Sequence, residues 1–220
     1  MTEPQPGLGE PLSAQMYQTL RRGIILGDYP QGSALKEARL ADELDVSRIP
    51  IRAAIPHLEN EGFLTTAPRR SARVTTWTGR AVNELFDVRL SIESLAARQA
   101  ATAVREGAST AALTASLDLA HAAVASGDRL EIAEAHTIYH ERVVELAGNE
   151  LLASIMRGVL GRMTWLFYLT ADRDPAGQSH EHDELLEVIA SGNDRLAESI
   201  AFAHIEKGRA PSLGILLRDE

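Results

Sequence analysis

The stretch from Glu37 to Leu58 constrains the fold more than any other part of this 220-residue chain. Leu40, Ala41 and Leu44 fall on one face of a short helix over Glu37–Leu44, and Ile51, Ala54, Ile55 and Leu58 on one face of a second that Ser47 can cap. Between them stands Asp45, where a tight inter-helix turn wants a residue that tolerates positive φ. Two short amphipathic helices joined this closely read as a helix–turn–helix. A third helix is expected ahead of them over Ala14–Leu26, capped by Ser13, striped by Met16, Leu20 and Ile24, and stopped by Gly27. Pro30-Gln31-Gly32 is a turn. Residues 1–11, with three prolines and two glycines, are expected to form a disordered arm.

The exposed residues of the second helix point to a partner. Arg48 and Arg52 lie four apart and project from one face at its start. In a helix–turn–helix that end enters the major groove, where an arginine can bond both acceptors on a guanine edge. Beyond Gly62, the β-prone runs Phe63–Thr66 and Ala72–Thr76 flank the basic turn Ala67–Ser71. They predict a hairpin, or wing, lying against DNA. The alternative use of such a domain is protein contact. A net charge of −9 argues against nucleic acid only as an average. Residues 1–75 carry nine basic and nine acidic side chains, so the whole excess of acid belongs to the remainder. That asymmetry suggests two units with different partners.

The run Leu35–Thr66, LKEARLADELDVSRIPIRAAIPHLENEGFLTT, resembles the winged helix–turn–helix of the GntR family of bacterial transcription regulators. The resemblance implies DNA contacts from Ser47, Arg48, Pro50 and Arg52, with the wing residues Arg69 and Arg70. Two positions depart from the family pattern. Pro56 stands inside the second helix, where it removes a backbone hydrogen bond and is expected to kink the distal half. Ser71 takes a wing position where relatives usually have Gly.

From Gly79 onward the pattern is helical, with Val82, Leu85, Phe86, Leu90, Leu95 and Ala96 as a first stripe and Ala-rich helices at Ala97–Glu106 and Ser109–Ser126. Six or seven helices without strand-like alternation predict an all-α bundle. The fold class is therefore mainly α, a winged helix–turn–helix followed by a helical bundle. The expected boundaries are a DNA-binding domain over 12–76, a linker over 77–80 and an all-α effector-binding and dimerisation domain over 81–220. There is no apolar run of membrane-spanning length, and Met1–Pro11 lacks the apolar core of a signal peptide. The chain has no cysteine, which excludes disulfides and thiolate-held metals and fits a cytoplasmic location.

Four of the seven histidines have informative spacing. His136 and His140 are i,i+4 and share a helix face. His182 lies ten residues before Gly192 and His204 twelve after it, which brings them to similar heights in an antiparallel hairpin turning at Ser191–Asn193. Two such pairs make a four-histidine site of the kind that suits Zn, Ni, Cu or Fe and disfavours Mg or Ca. An i,i+4 histidine pair on a solvated surface is the bland alternative.

The segments ELFDVRLSIESLAARQAA, HTIYHERVVELAGNELL and EHDELLEVIASGNDRLAESIAFAHI resemble the FCD ligand-sensing domain found behind this winged helix in the fatty-acid-regulator branch of the family. The resemblance implies a divalent metal held by one Asp and three His. His140, His182 and His204 match the histidines, while His136 stands where the family has Asp. It also implies that Arg89 faces the cavity and pairs with a carboxylate effector; a solvated Arg89–Glu93 pair within the helix is the alternative. Trp165, Phe167 and Tyr168 are expected in the core or cavity wall, and His57, His121 and His180 as surface or capping residues. The expectation is a cytoplasmic, homodimeric repressor of transcription, without catalytic residues. It binds an operator in double-stranded DNA and is released by a small organic acid at a site holding Zn or Ni. The opposing class is a metal-dependent hydrolase using the histidine-ligated site, with Glu141 and Glu181 as the adjacent, solvent-facing carboxylates.

Overall fold

The computed structural model describes residues 11–68, 70–171 and 174–217. The arm over residues 1–10 and the wing residue Arg69 lie outside them. The chain divides into two compact units, Met1–Thr76 and Trp77–Glu220.

In the first unit α1 (Leu12–Leu26), α2 (Glu37–Glu43) and α3 (Arg48–Asn60) surround a core in which Leu20, Ile24, Leu40, Ile51, Leu58 and Phe63 are fully or almost fully excluded from solvent. Asp45 adopts φ 51° and turns the chain from α2 into α3. Helix α1 starts one residue before Ser13, with Pro11 at the cap position. Proline supplies the extended φ that a helix entrance needs without wasting an N–H. Ser47 does stand at the N-cap of α3, but its hydroxyl makes no capping hydrogen bond. Helix α3 runs through Pro56 to Asn60, so the missing amide does not end it. Ile55 is only half-buried, because it sits on the groove side of α3 rather than against α1.

The wing is a three-stranded antiparallel sheet in the order β1-β3-β2, made of β1 (Ala34–Leu35), β2 (Leu64–Thr65) and β3 (Ala72–Val74). Leu35 pairs with Ala72 and Leu64 with Val74. The inward members Leu35, Leu64, Ala72 and Val74 are all buried, which fixes the register.

The second unit contains α4 (Gly79–Arg105), α5 (Ala111–Ser126), α6 (Arg129–Leu146), α7 (Glu150–Leu169), α8 (Pro175–Ala190) and α9 (Asp194–Leu216). Helix α4 packs along α9 and also touches α6, α7 and α8, so it forms the axis of the bundle. Gly79 and Arg80 belong to its first turn, which Thr78 caps through its hydroxyl to Ala81 N, 3.1 Å. The preceding Trp77 is buried against Trp165, ring centroids 5.8 Å apart and edge to face. α4 continues unbroken through the Ala-rich stretch that read as a separate helix. The Asp128, Asn149, Asp174 and Asn193 side chains cap the next four helix starts after α5. The turn between α8 and α9 is held from α4: Arg105 donates to the Gly192 carbonyl, 2.8 Å, and a Cβ at Gly192 would stand 3.1 Å from Arg105 Cβ. With φ +72° as well, this turn requires glycine.

The apolar stripe of α4 differs from the expected one in an informative way. Leu90 and Leu95 are half-exposed, whereas Arg89 and Glu93 are buried. Two charges lie inward because they neutralise one another and Glu93 also bonds a histidine on α6.

Candidate functional site

Two surfaces carry functional groups, one in each unit. In the first, an open groove of about 520 Å³ lies between the start of α2, the outer side of α3 and the wing, with Lys36, Arg48 and Arg70 on its walls. Ser47, Arg48, Arg52 and Arg70 are exposed. Pro50 is buried in the first turn of α3, so it fixes that turn and offers no surface. Between Arg48 and Pro50, Ile49 is 78% exposed, an apolar side chain at the tip of a helix ringed by cations. Arg52 reaches back to α2, its Nε 3.1 Å and its Nη2 2.6 Å from the Glu37 carboxylate. That hydrogen bonding holds the Glu37 carboxyl below its ordinary pKa, against the small effect of burial. Lys36, Ile49 and the Glu37 clasp were missed in the sequence. Only the pairing of β1 with β3 brings Lys36 to the groove, and no local pattern announces a two-residue strand.

In the second unit, α6, α8 and α9 bring His140, His182 and His204 together, with one potential ligand nitrogen from each lying within 4.8 Å of the others. His182 Nε2 and His204 Nε2 are 3.1 Å apart, at the similar heights that the count from Gly192 predicts. His136, one turn from His140 on α6, is buried with its ring 5.0 Å from that of His182. It lies in the wall beside the trio and is not a member of that close set.

Each outer nitrogen of the trio has a defined environment. His140 Nδ1 is 2.6 Å from Glu93 Oε2, and His204 Nδ1 is 2.8 Å from Glu181 Oε2. Carboxylates at these positions fix ring orientation and leave the far nitrogen facing inward. Tyr139 secures His182, donating its hydroxyl to the His182 carbonyl at 2.8 Å and stacking on its ring at 4.2 Å. The buried Nδ1 of His182 has no hydrogen-bond partner among the described residues.

Arg89 closes the chamber. It is 3% exposed, bonds Glu93 at 2.6 Å, lies 3.4 Å from His140 Nε2 and sits over the Phe167 ring at 5.0 Å. Arg89 thus faces the cavity and pairs with Glu93 at the same time, and that pair is buried rather than solvated. Burial lowers the His140 pKa to about 4, with Glu93 opposing, and lowers His182 well below its ordinary value. Both imidazoles are therefore neutral at pH 7, the form that binds metal. Burial alone would raise Glu93, but Arg89 and His140 hold it well below the carboxylate range. Oriented imidazoles converging in a closed space, with a buried ring nitrogen left over, fit a borderline transition ion.

Glu181 corrects an expectation. It is not a free, solvent-facing carboxylate, because one oxygen holds His204 and the other Lys207. Both of its oxygens are thus engaged, and Glu141 is half-buried rather than solvent-facing. Glu93 was likewise missed as the partner of His140, although its i,i+4 spacing from Arg89 was visible.

A winged helix followed by a helical bundle with a buried histidine centre defines a class: bacterial regulators that join a DNA-binding unit to a sensing unit. The chain matches the FCD domain over residues 84–207 and the gntR family of bacterial regulatory proteins over residues 12–74. It belongs to that family, whose members regulate transcription and are not enzymes. It is 27% identical over 197 residues to the HTH-type transcriptional regulator YdhC of Bacillus subtilis (strain 168), covering 88% of each chain. A relative in Paenarthrobacter nicotinovorans, described as a probable D-xylose utilization operon transcriptional repressor, is 26% identical over 198 residues, 88% of this chain and 85% of that one. In fold the chain is similar to a Rhodococcus sp. RHA1 protein described as a transcriptional regulator GntR, with TM-score 0.77, 23% identity, and 92% and 97% of the two chains covered. Among the described residues, no helix is long and apolar enough to cross a membrane.

Proposed function

We propose that the protein is a ligand-responsive repressor in which residues 12–76 bind an operator and residues 81–220 sense a small carboxylate at a metal-containing centre. The observation that carries this reading is the groove where Lys36, Arg48 and Arg70 face one another beside the exposed Ile49. Arg48 reads a guanine edge, and Ile49 meets a thymine methyl. Ser47, Arg52, Arg69 and Arg70 position the phosphates, with Pro50 shaping the helix tip. A two-fold operator matches a homodimer, joined through the second unit. The function is cytoplasmic, and the repressor role follows the printed description of the Paenarthrobacter relative.

His140, His182 and His204 would hold the ion, with His136 as a fourth imidazole beside them. Zn or Ni suits this set, because no carboxylate enters it directly and softer nitrogen donors dominate. The ion supplies a Lewis-acid centre for a carboxylate oxygen. Arg89 and Glu93 keep the His140 ring in place, and Arg89 presents the remaining edge of its guanidinium to the chamber. The effector shifts DNA binding only if it prefers one arrangement of the protein over the other. The segment Trp77–Arg80, which joins the units in sequence, transmits that preference.

The test uses untagged full-length protein to select genomic fragments, followed by elution with carboxylic acids and elemental analysis of the protein. Salt-sensitive enrichment of a few palindromic fragments is expected, lost in Arg48→Ala. Equal retention of random DNA, or retention indifferent to Arg48, overturns the DNA reading. Zinc or nickel near one per chain is expected, and His136→Asp should shift the preference toward harder ions. Unchanged metal identity in that variant removes His136 from the site.

A further inference from the structure

The histidine chamber is too small for the body of an organic effector. Its volume is about 10 Å³, which approaches the ~10–15 Å³ needed for a single water. A second pocket of about 350 Å³ lies between the start of α8 and the last third of α9. Gln178 and Gly208 line both spaces. At ~30 Å³ per water in the liquid, the outer pocket has room for a molecule of roughly ten waters' volume.

The boundary between the two spaces is made by the residues they share, Gln178 and Gly208. Gly208 is buried and contributes no side chain. Pro211, which lines the outer pocket, has no N–H, so the Lys207 carbonyl lacks its usual helical donor. Glu181 belongs to the outer pocket yet bonds His204 in the inner one, so the outer contents act directly on a side chain that orients the histidine trio.

We propose that the outer pocket is a second subsite, housing the uncharged body of a monocarboxylate whose acid end reaches the chamber between Gln178 and Gly208. This rests on the metal-and-carboxylate reading above. Charge selects the class. Of the two carboxylates in the wall, Glu181 is matched by Lys207 and His204. Asp174 caps α8 through Gly177 N at 3.0 Å and makes no contact ion pair among the described residues; Lys207, already engaged by Glu181, meets its charge only from a distance. A ligand carrying a second carboxylate would meet that charge, whereas an uncharged body packs on Pro211, Gly208 and the aliphatic stem of Lys207. Asp174 is then a residue that determines specificity, sited away from the histidines.

Calorimetric titration of zinc-loaded full-length protein with acetate, pentanoate and glutarate tests the assignment. Pentanoate should bind about tenfold more tightly than acetate or better, since three further methylenes leave water. Glutarate, of the same length, should gain nothing over acetate. Asp174→Asn keeps the helix cap and should close the gap between glutarate and pentanoate by roughly threefold or more. Gly208→Val should abolish the pentanoate gain, and Gly208→Ala should reduce it if the larger residue disturbs folding. Acetate and pentanoate binding alike, glutarate matching pentanoate, or a ratio indifferent to Asp174 each overturn the second subsite. Protein that holds no zinc and binds none of the acids instead overturns the metal reading, and the subsite with it. Zinc retained without binding of any acid overturns the carboxylate reading and the subsite with it, whereas acetate bound without a pentanoate gain overturns the subsite alone.

Discussion

Two Arg–Glu pairs with the same 2.6 Å separation serve opposite purposes in this molecule. Arg52 and Glu37 join α3 to α2 with 67% and 30% of their side chains exposed, whereas Arg89 and Glu93 join successive turns of α4 at 3% and 4%. In water the first pair is screened and exchangeable, so Arg52 can trade Glu37 for a phosphate at little cost. The second pair has surrendered its hydration and survives only because each charge is met, Glu93 by Arg89 and by His140. A buried pair is structure; an exposed one is a group held in readiness.

The largest effect should come from unbalancing the buried pair. Glu93→Ala leaves Arg89 uncompensated and His140 unoriented, and should cost about 3–5 kcal/mol of unfolding free energy in a urea titration. A loss below the error of the titration would show that the pair is not the keystone of α4. At the exposed face the pattern reverses. Arg48→Ala should weaken binding to a selected operator fragment by about 1–3 kcal/mol, read by fluorescence anisotropy, while leaving the melting temperature unchanged. An altered melting temperature would mean that the groove is built as structure.

Between the extremes, Glu181→Gln should lower zinc affinity about 10–100-fold in chelator competition without unfolding the bundle, because it disturbs the orientation of His204. Equal affinity would separate Glu181 from the histidine site. The smallest effect belongs to Glu37. Its folded pKa is depressed by Arg52, so its contribution is present above the ordinary carboxylate range and fades as pH falls through the lowered value. Nuclear magnetic resonance titration should place the Glu37 carboxyl below ordinary glutamates, and Arg52→Ala should return it. A Glu37 indifferent to Arg52 would deny the clasp.

Much of this was legible in the residues, wherever a local rule has one outcome. The period of Leu40, Ala41, Ile51, Ala54 and Leu58 dictates the helix pair. Asp45 takes the positive φ its position requires, and counting outward from Gly192 brings His182 to His204. Legibility ends where a contact depends on distant chain. The strand β1 exists through pairing with β3, nearly forty residues on in sequence. The residues alone leave Arg89 and Glu93 open between a cavity group and a solvated pair, and the α6 packing that delivers His140 makes them interior. The withdrawal of Pro50 and the exposure of Ile49 follow from the angle at which α3 leaves its turn, which a helical period does not encode.

One further consequence comes from the edge-to-face contact of Trp77 with Trp165. These are both of the chain's tryptophans, so its near-ultraviolet emission comes from a single place, the point where the backbone leaves the wing and enters α4. A rearrangement that draws Trp77 away from its neighbour would wet an indole now 8% exposed and move the emission to longer wavelength. The native protein therefore carries its own optical gauge of the junction, needing neither label nor DNA to follow an effector.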